Sequence, residues 1–327
     1  MKKLTKKYSV QLAGLLLLLT LLPVSCIKDD YAAKGTATVT MTFTTRAISN
    51  PTANAGGLEA NEHMRTLRVI VARKSGTILY NLKYDVDENE TSKTITFSEM
   101  TVEKDGEAFD FYAIANEGGV GYTDKSWDNV SVDDLKGMTL QTAFLTAAND
   151  SEGGKVIPQT AYKEITVTPQ AGGGIQSENM QLNFAVAKVR LTIENTSTEP
   201  QTVSGISLSG VNMTSTPLFA GSLSGEKNGS VSLGDMTIPV ESSGTPGKST
   251  VYAYFYENTG GVYGLNATWG ASSTTFDINT LGKLSEIKRG TELDITITIK
   301  KSVTTPEDFF IQVNTWDSAD MEIPSFQ

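Results

Sequence analysis

The chain has 327 residues, 39% hydrophobic and 20% charged, with 29 Gly and 10 Pro, a globular composition long enough for about two domains and unlike collagen, low-complexity or disordered chains. The formal charge is −10, and four of the 27 Lys and Arg fall within the first 25 residues, where no acid occurs, so the remainder is strongly acidic and unsuited to nucleic acid. A single Cys and a single His exclude a disulfide framework, Cys/His zinc sites, Cys–His nucleophiles and most histidine acid–base machinery.

Lys2, Lys3, Lys6 and Lys7 precede an apolar run from Leu12 to Leu22, the n-region and h-region of a signal peptide over 1–25, too short to span a bilayer stably. Pro23-Val24-Ser25-Cys26 resembles a bacterial lipobox, with Pro23 where Leu is usual. It predicts cleavage between Ser25 and Cys26 and acylation of Cys26. Each buried CH₂ then contributes about 0.8 kcal/mol, and several chains together give stable outer-membrane anchoring. Ile27-Lys28-Asp29-Asp30 is similar to the short signal that sends Bacteroidetes lipoproteins to the cell surface.

From Thr36 the chain alternates strictly, with Ala37, Val39, Met41 and Phe43 apolar and Thr36, Thr38, Thr40, Thr42 and Thr44 polar, which predicts a half-buried strand of about ten residues. Further strands are expected over 67–72, 94–97, 109–115 and 165–167, separated by turn-rich stretches such as 54–57 and 149–154. Ser131 followed by Val132-Asp133-Asp134-Leu135-Lys136 reads as a capped short helix that Gly137 ends. Ala171-Gly172-Gly173-Gly174 interrupts the pattern, and a domain boundary is expected near 172–180. The second half opens with Lys188–Glu194, in which Val189, Leu191 and Ile193 face inward while Lys188, Arg190, Thr192 and Glu194 face outward. It continues over 203–208, 237–240, 251–256, 266–269 and 293–300. Many short strands and few helices predict an all-β chain built of β-sandwiches.

Chemistry is scarce. Asp85-Val86-Asp87-Glu88-Asn89-Glu90 resembles the start of a calcium loop but has Glu90 where Gly is needed and Thr96 where a bidentate Glu is needed, so it reads as a solvated acidic loop. His63 has no Ser, Cys or second His at useful spacing. Gly118-Gly119-Val120-Gly121 lacks dinucleotide-binding spacing and reads as a turn. No carboxylate pair stands out as glycosidase machinery. No catalytic residue, metal or cofactor is therefore expected. Tyr252, Tyr254 and Tyr256 alternate along one strand and suit either sugar stacking or cross-strand packing.

Taken in order, Cys26, the alternating first strand ending Thr44-Thr45-Arg46-Ala47, Thr66-Leu67-Arg68-Val69-Ile70-Val71, Phe111-Tyr112-Ala113-Ile114-Ala115-Asn116, Phe184-Ala185-Val186-Ala187-Lys188-Val189, Ile287-Lys288-Arg289-Gly290-Thr291 and a tail holding Trp316 resemble the fimbrillin superfamily, the subunits of Bacteroidetes type V pili. The resemblance implies two transthyretin-like β-sandwich domains in tandem, over 47–176 and 177–327, preceded by a propeptide over 26–46 that carries the first strand. It further implies removal of that strand by an arginine-specific protease, with Arg46 at P1 and Ala47 as the new N-terminus, and assembly by strand exchange with other fimbrial subunits. Loss of the Ala37, Val39, Met41 and Phe43 knobs would leave an apolar groove and unpaired backbone groups, a template for β-augmentation. The tail over about 315–327, with Trp316, Met321, Ile323 and Phe326, is the expected donor. Asp317-Ser318-Ala319 matches a short O-glycosylation pattern. The expected role is a polymerising stalk pilin of a fimbrium, contributing to adhesion. A tip or anchoring subunit is the alternative within the family. A monomeric surface glycan-binding lipoprotein, using Trp127, Trp269, Trp316 and the tyrosine row, is the alternative outside it.

Overall fold

The structure is a computed structural model and describes residues 34–45, 58–87, 90–122, 126–150, 155–219, 228–259, 262–269, 272–277, 286–299 and 311–314. The N-terminal half contains β1 (Lys34–Thr45), β2 (Thr66–Arg73), β3 (Ile78–Asp85), β4 (Ser92–Glu103), β5 (Glu107–Ala115), β6 (Thr139–Gln141), β7 (Gln159–Val167) and β8 (Ile175–Phe184), with α1 (Val132–Gly137) and α2 (Thr142–Ala148) inserted between β5 and β7. The order β4-β1-β8 forms one layer and β3-β2-β5-β7 the other, joined at a corner where only Gln159 and Thr160 of β7 pair with β8. Both layers send side chains into one core, from Met41, Phe97 and Leu182 on one side to Val69, Phe111 and Ile165 on the other. The chain is all-β in class, as the alternating pattern predicts.

The C-terminal half contains β9 (Ala187–Asn195), β10 (Gln201–Val211), β11 (Ser215–Pro217), β12 (Gly229–Ile238), β13 (Gly247–Phe255), β14 (Asn258–Thr259), β15 (Gly264–Trp269), β16 (Ser272–Asp277), β17 (Glu286–Ile287), β18 (Glu292–Ile299) and β19 (Ile311–Asn314). Its layers are β13-β9-β18-β19 and β12-β10-β15-β16, closed on a core of their own. The wiring repeats that of the first half. β9 is antiparallel to β13 and parallel to β18, as β1 is to β4 and β8; β10 lies between β12 and β15 as β2 lies between β3 and β5.

The boundary expected near 172–180 falls inside the first half. Residues 171–174 form the turn from β7 into β8, and β8 pairs with β1 over eight positions, so the change from one half to the other comes at Ala185-Val186, both fully buried. The predicted short helix is α1. Its Ser131 Oγ accepts from the Asp134 amide at 3.1 Å, and the Asp134 carboxylate accepts from the Ser131 amide at 2.9 Å, a reciprocal cap. A third apolar cluster fills the space between the halves, from Ile70 and Tyr112 on the outer faces of β2 and β5, through Phe144 of α2, to Tyr254 and Tyr256.

Gly119 shows how closely this region is built. A Cβ there would lie 2.2 Å from the Val156 carbonyl oxygen, and backbone on both sides cannot give way. Gly119→Ala is expected to lower the unfolding free energy by about 1–3 kcal/mol, read as an earlier urea midpoint with an unchanged slope.

Candidate functional site

The feature with functional content is β1. Ala37, Val39, Met41 and Phe43 are buried to 4% exposure or less, and the threonines between them are partly exposed, so the period of two in the sequence is realised without a slip. β1 is the centre of its layer. It runs antiparallel to β4 from Lys34↔Glu103 to Thr44↔Ser92, with an irregularity between Ala37 and Val39, and parallel to β8 from Thr38↔Ile175 to Thr45↔Leu182. On the outer face the Thr40 and Thr42 hydroxyls meet those of Thr96 and Thr94, each at 3.1 Å. Its last residue is pinned by the Thr45 amide and hydroxyl, which donate to the Thr91 carbonyl at 2.9 and 3.2 Å.

The walls that β1 separates are themselves apolar on the inner side: Ile95, Phe97, Met100 and Val102 from β4, Met180 and Leu182 from β8. Across the gap between β7 and β8, Lys163 Nζ donates to the Glu178 carboxylate at 2.8 Å, and that hydrogen bond holds the Glu178 carboxyl below the ordinary carboxylate range. Without β1, two ladders of backbone donors and acceptors and these six side chains would face water. A strand of matching alternation would restore both.

The structure therefore brings together the four predicted knobs. Ser25, Cys26, Arg46, Ala47 and the tail residues Trp316, Met321, Ile323 and Phe326 lie outside the described residues. So does Ser318. The last described strand, β19, pairs antiparallel with β18 at the edge of its layer, with Ile311 opposite Ile297 and Val313 opposite Ile295.

Most of the described residues of the platform required for a glycan-binding reading are spent on packing, and Trp316 lies outside the described residues. Tyr254 and Tyr256 are fully buried between the halves, and only Tyr252 of the row is exposed. Burial is the first cause that raises the Tyr254 and Tyr256 hydroxyls far above the ordinary phenol range. Trp269 lies in the C-terminal core, and Trp127 stacks on Tyr122 with ring centroids 5.2 Å apart. Next to that pair, a pocket of about 380 Å³ is lined by Tyr122, Asp133, Asp134 and Met138 among others, but the Asp134 carboxylate there is committed to the α1 cap. His63 is partly buried, and its carbonyl accepts from Asn116 Nδ2 at 2.9 Å. Among the described residues, no group of three or more His, Cys, Asp or Glu is placed to hold a metal ion, and no helix is long and apolar enough to cross a membrane.

No protein-family model and no curated protein matches the chain. Solved structures do. A fimbrilin from Porphyromonas gingivalis is 11% identical and aligns over 85% of this chain and 96% of its own, with a TM-score of 0.51. A protein from Bacteroides eggerthii assigned to cell adhesion is 13% identical over 86% of this chain and 95% of its own, at 0.51. A second cell-adhesion assignment, from Parabacteroides distasonis, is 13% identical over 86% and 97%, at 0.50. At such identities the likeness is one of fold. It extends over most of the chain, and the neighbours are Bacteroidetes fimbrial and adhesion proteins.

Proposed function

Starting from a fold shared with Bacteroidetes fimbrial proteins, we propose that this chain is a structural subunit of a surface fimbrium, a stalk pilin without catalytic activity. It is exported with the signal peptide 1–25, lipidated on Cys26, cut between Arg46 and Ala47, and polymerised when a neighbouring copy replaces β1. The observation that carries the reading is the position of β1. The first described strand is central to its layer, supplies four core side chains and ends one residue before Arg46. One cut there converts the precursor strand into a displaceable peptide together with its lipid.

The groove also suggests which strand enters it. Along β1 the buried side chains grow from Ala37 through Val39 and Met41 to Phe43. Phe309, Ile311, Val313 and Thr315 have the same spacing and shrink in the reverse order, so this segment, once Ile311–Asn314 has left its pairing with β18, would match the groove running opposite to β1, antiparallel to β8 and with the Phe at the wide end. Ala319, Met321, Ile323 and Ser325 match in the forward direction and leave the wide end unfilled; Trp316 and Phe326 fall in the other phase. Running this way the strand would be antiparallel to β8 and parallel to β4, one ladder of each kind as β1 has, so the direction is set by the side chains and not by the ladders. Four such knobs, at roughly 1.5–3 kcal/mol for each of the larger ones, support a long-lived joint. A head-to-tail contact of this kind propagates instead of closing.

Arg46→Ala is the test. The variant is expected to remain lipidated, with residues 26–46 retained on N-terminal sequencing, and to form no filaments visible by electron microscopy. Filaments from unprocessed Arg46→Ala would overturn the reading. In the processed wild type, Ile311→Asp with Val313→Asp should abolish polymerisation, whereas Met321→Asp with Ile323→Asp should do so only if the forward-running tail is the donor.

A further inference from the structure

The strap from Leu58 to Met64, which leads into β2, carries two acidic side chains that sequence patterning leaves without a role. Both reach across to the other half. Glu62 is fully buried, and its Oε1 accepts from Lys188 Nζ at 2.7 Å and from the Tyr254 hydroxyl at 3.0 Å. Glu59 Oε1 accepts from Arg190 Nη2 at 2.7 Å. Glu292 on β18 completes the cluster, 2.9 Å from Lys188 Nζ and 2.8 Å from Arg190 Nε. Lys188 is itself fully buried. The strap holds its own shape, since the Glu59 amide donates to Glu62 Oε2 at 2.8 Å and the Glu62 amide to the Glu59 carbonyl at 2.9 Å.

The same seven residues are fastened equally to the N-terminal half. The Asn61 carbonyl accepts from the Ile157 amide at 2.8 Å, the Glu62 carbonyl accepts from Gln159 Nε2 at 3.0 Å, and Met64 enters the N-terminal core. The covalent connection Ala185-Val186 is held in parallel, with the Ala185 amide donating to the Pro158 carbonyl at 2.9 Å and the Val186 carbonyl accepting from the Gly290 amide at 2.8 Å. No hydrogen-bond or ion-pair partner in these contacts belongs to β1, and no β1 residue belongs to the apolar cluster between the halves; Met64 alone shares a core cluster with the β1 knobs.

We infer that Leu58–Met64 is an ionic clasp that locks the two halves into one rigid body, and that the clasp is independent of β1. A buried, directional set of charged hydrogen bonds tolerates little sliding, because any rotation of one half leaves unpaired charge in a water-poor joint. The consequence rests on the strand-exchange reading: removing the first strand would open the acceptor groove and leave the joint closed. The clasp itself does not depend on that reading.

The test uses the full chain with Cys26→Ser and spin labels on Lys104→Cys and Glu241→Cys, exposed positions in opposite halves, and reads the interlabel distance distribution. A single narrow distribution is expected. Glu59→Gln with Glu62→Gln should broaden it roughly twofold or more, whereas Phe43→Ala, which loosens β1, should leave it unchanged. A narrow distribution in the strap variant, or broadening in Phe43→Ala, overturns the inference. Should the double variant fail to fold, Glu59→Gln alone, at a partly exposed side chain, is expected to give an intermediate width, and an unaltered width there is equally fatal. Filament formation is not scored, so failure of the clasp and failure of strand exchange are separate outcomes.

Discussion

Replacing Phe43 by alanine is expected to lower the unfolding free energy of the full-length chain by about 3–5 kcal/mol, the cost of truncating a fully buried aromatic and leaving a cavity. Phe43 is completely buried at the wide end of the β1 slot, opposite Lys93 on β4 and Met180 on β8, and neighbouring backbone ladders on both sides prevent collapse into the space. The urea midpoint should fall while the slope stays constant. The same variant has a second readout. If the chain is cut after Arg46 as proposed, β1 is held only by its ladders and its knobs, so weakening the largest knob should release it faster. Filaments would then appear sooner in the cut Phe43→Ala chain than in the cut wild type, even though the uncut precursor is less stable. An unchanged midpoint would show that the knob carries no such load.

Asp294→Asn is expected to stabilise the chain at neutral pH. Burial pushes the Asp294 carboxyl up to about 6, the adjacent Glu292 carboxylate adds to the rise, and Arg190 and Lys188 pull against it. The four carboxylates of Glu59, Glu62, Glu292 and Asp294 face two cations, with Tyr252 and Tyr254 on the β13 side, so ionising Asp294 adds uncompensated negative charge. A carboxyl whose pKa is higher folded than unfolded binds its proton more tightly in the native state. Its contribution is most favourable below about pH 4, declines as pH rises, and reaches its full penalty above about pH 6. The penalty is roughly 2 kcal/mol once solvent screening at the margin of the sheet is allowed for. Burial likewise raises the Glu62 carboxyl, which steepens the same trend. Denaturation of wild type and Asp294→Asn at pH 4, 5, 6 and 7 should give nearly equal stabilities at pH 4 and a widening advantage for the variant towards pH 7. Parallel curves would show that Asp294 is not the group responsible.

The β1 part of the site was legible because β1 obeys a period of two with no interruption. What alternation cannot show is whether such a strand lies at an edge or in the middle, since both bury one face. The answer depends on β8, whose first residues, Ile175 to Asn179, are exposed or half-buried and follow a glycine-rich turn that imitates a linker. β3 was legible by the same rule and was passed over: Tyr80, Leu82 and Tyr84 alternate with Asn81, Lys83 and Asp85, although at the edge of the sheet most of its side chains are only half-covered. Lys188 and Arg190 were read correctly as facing away from the sandwich core. Their burial was not legible, because what covers them is a polar strap joined to them only by tertiary folding. The tyrosine row was ambiguous until that same joint claimed two of its three members.

The repeated wiring of the halves bears on valence. β9 holds in the C-terminal half the place that β1 holds in the N-terminal half, between one antiparallel and one parallel neighbour. The difference is covalent. β1 has chain on its far side that a single cut can detach, whereas β9 is threaded, with β8 before it and β10 after it, and no cut upstream can withdraw it. Under the proposed cleavage, one of two similarly wired slots would be emptied while the other stays filled. A particle with one socket and one plug has distinct ends and cannot branch. Under the proposed strand exchange, this asymmetry would set the dimensionality of whatever the chain builds: a line, and never a net.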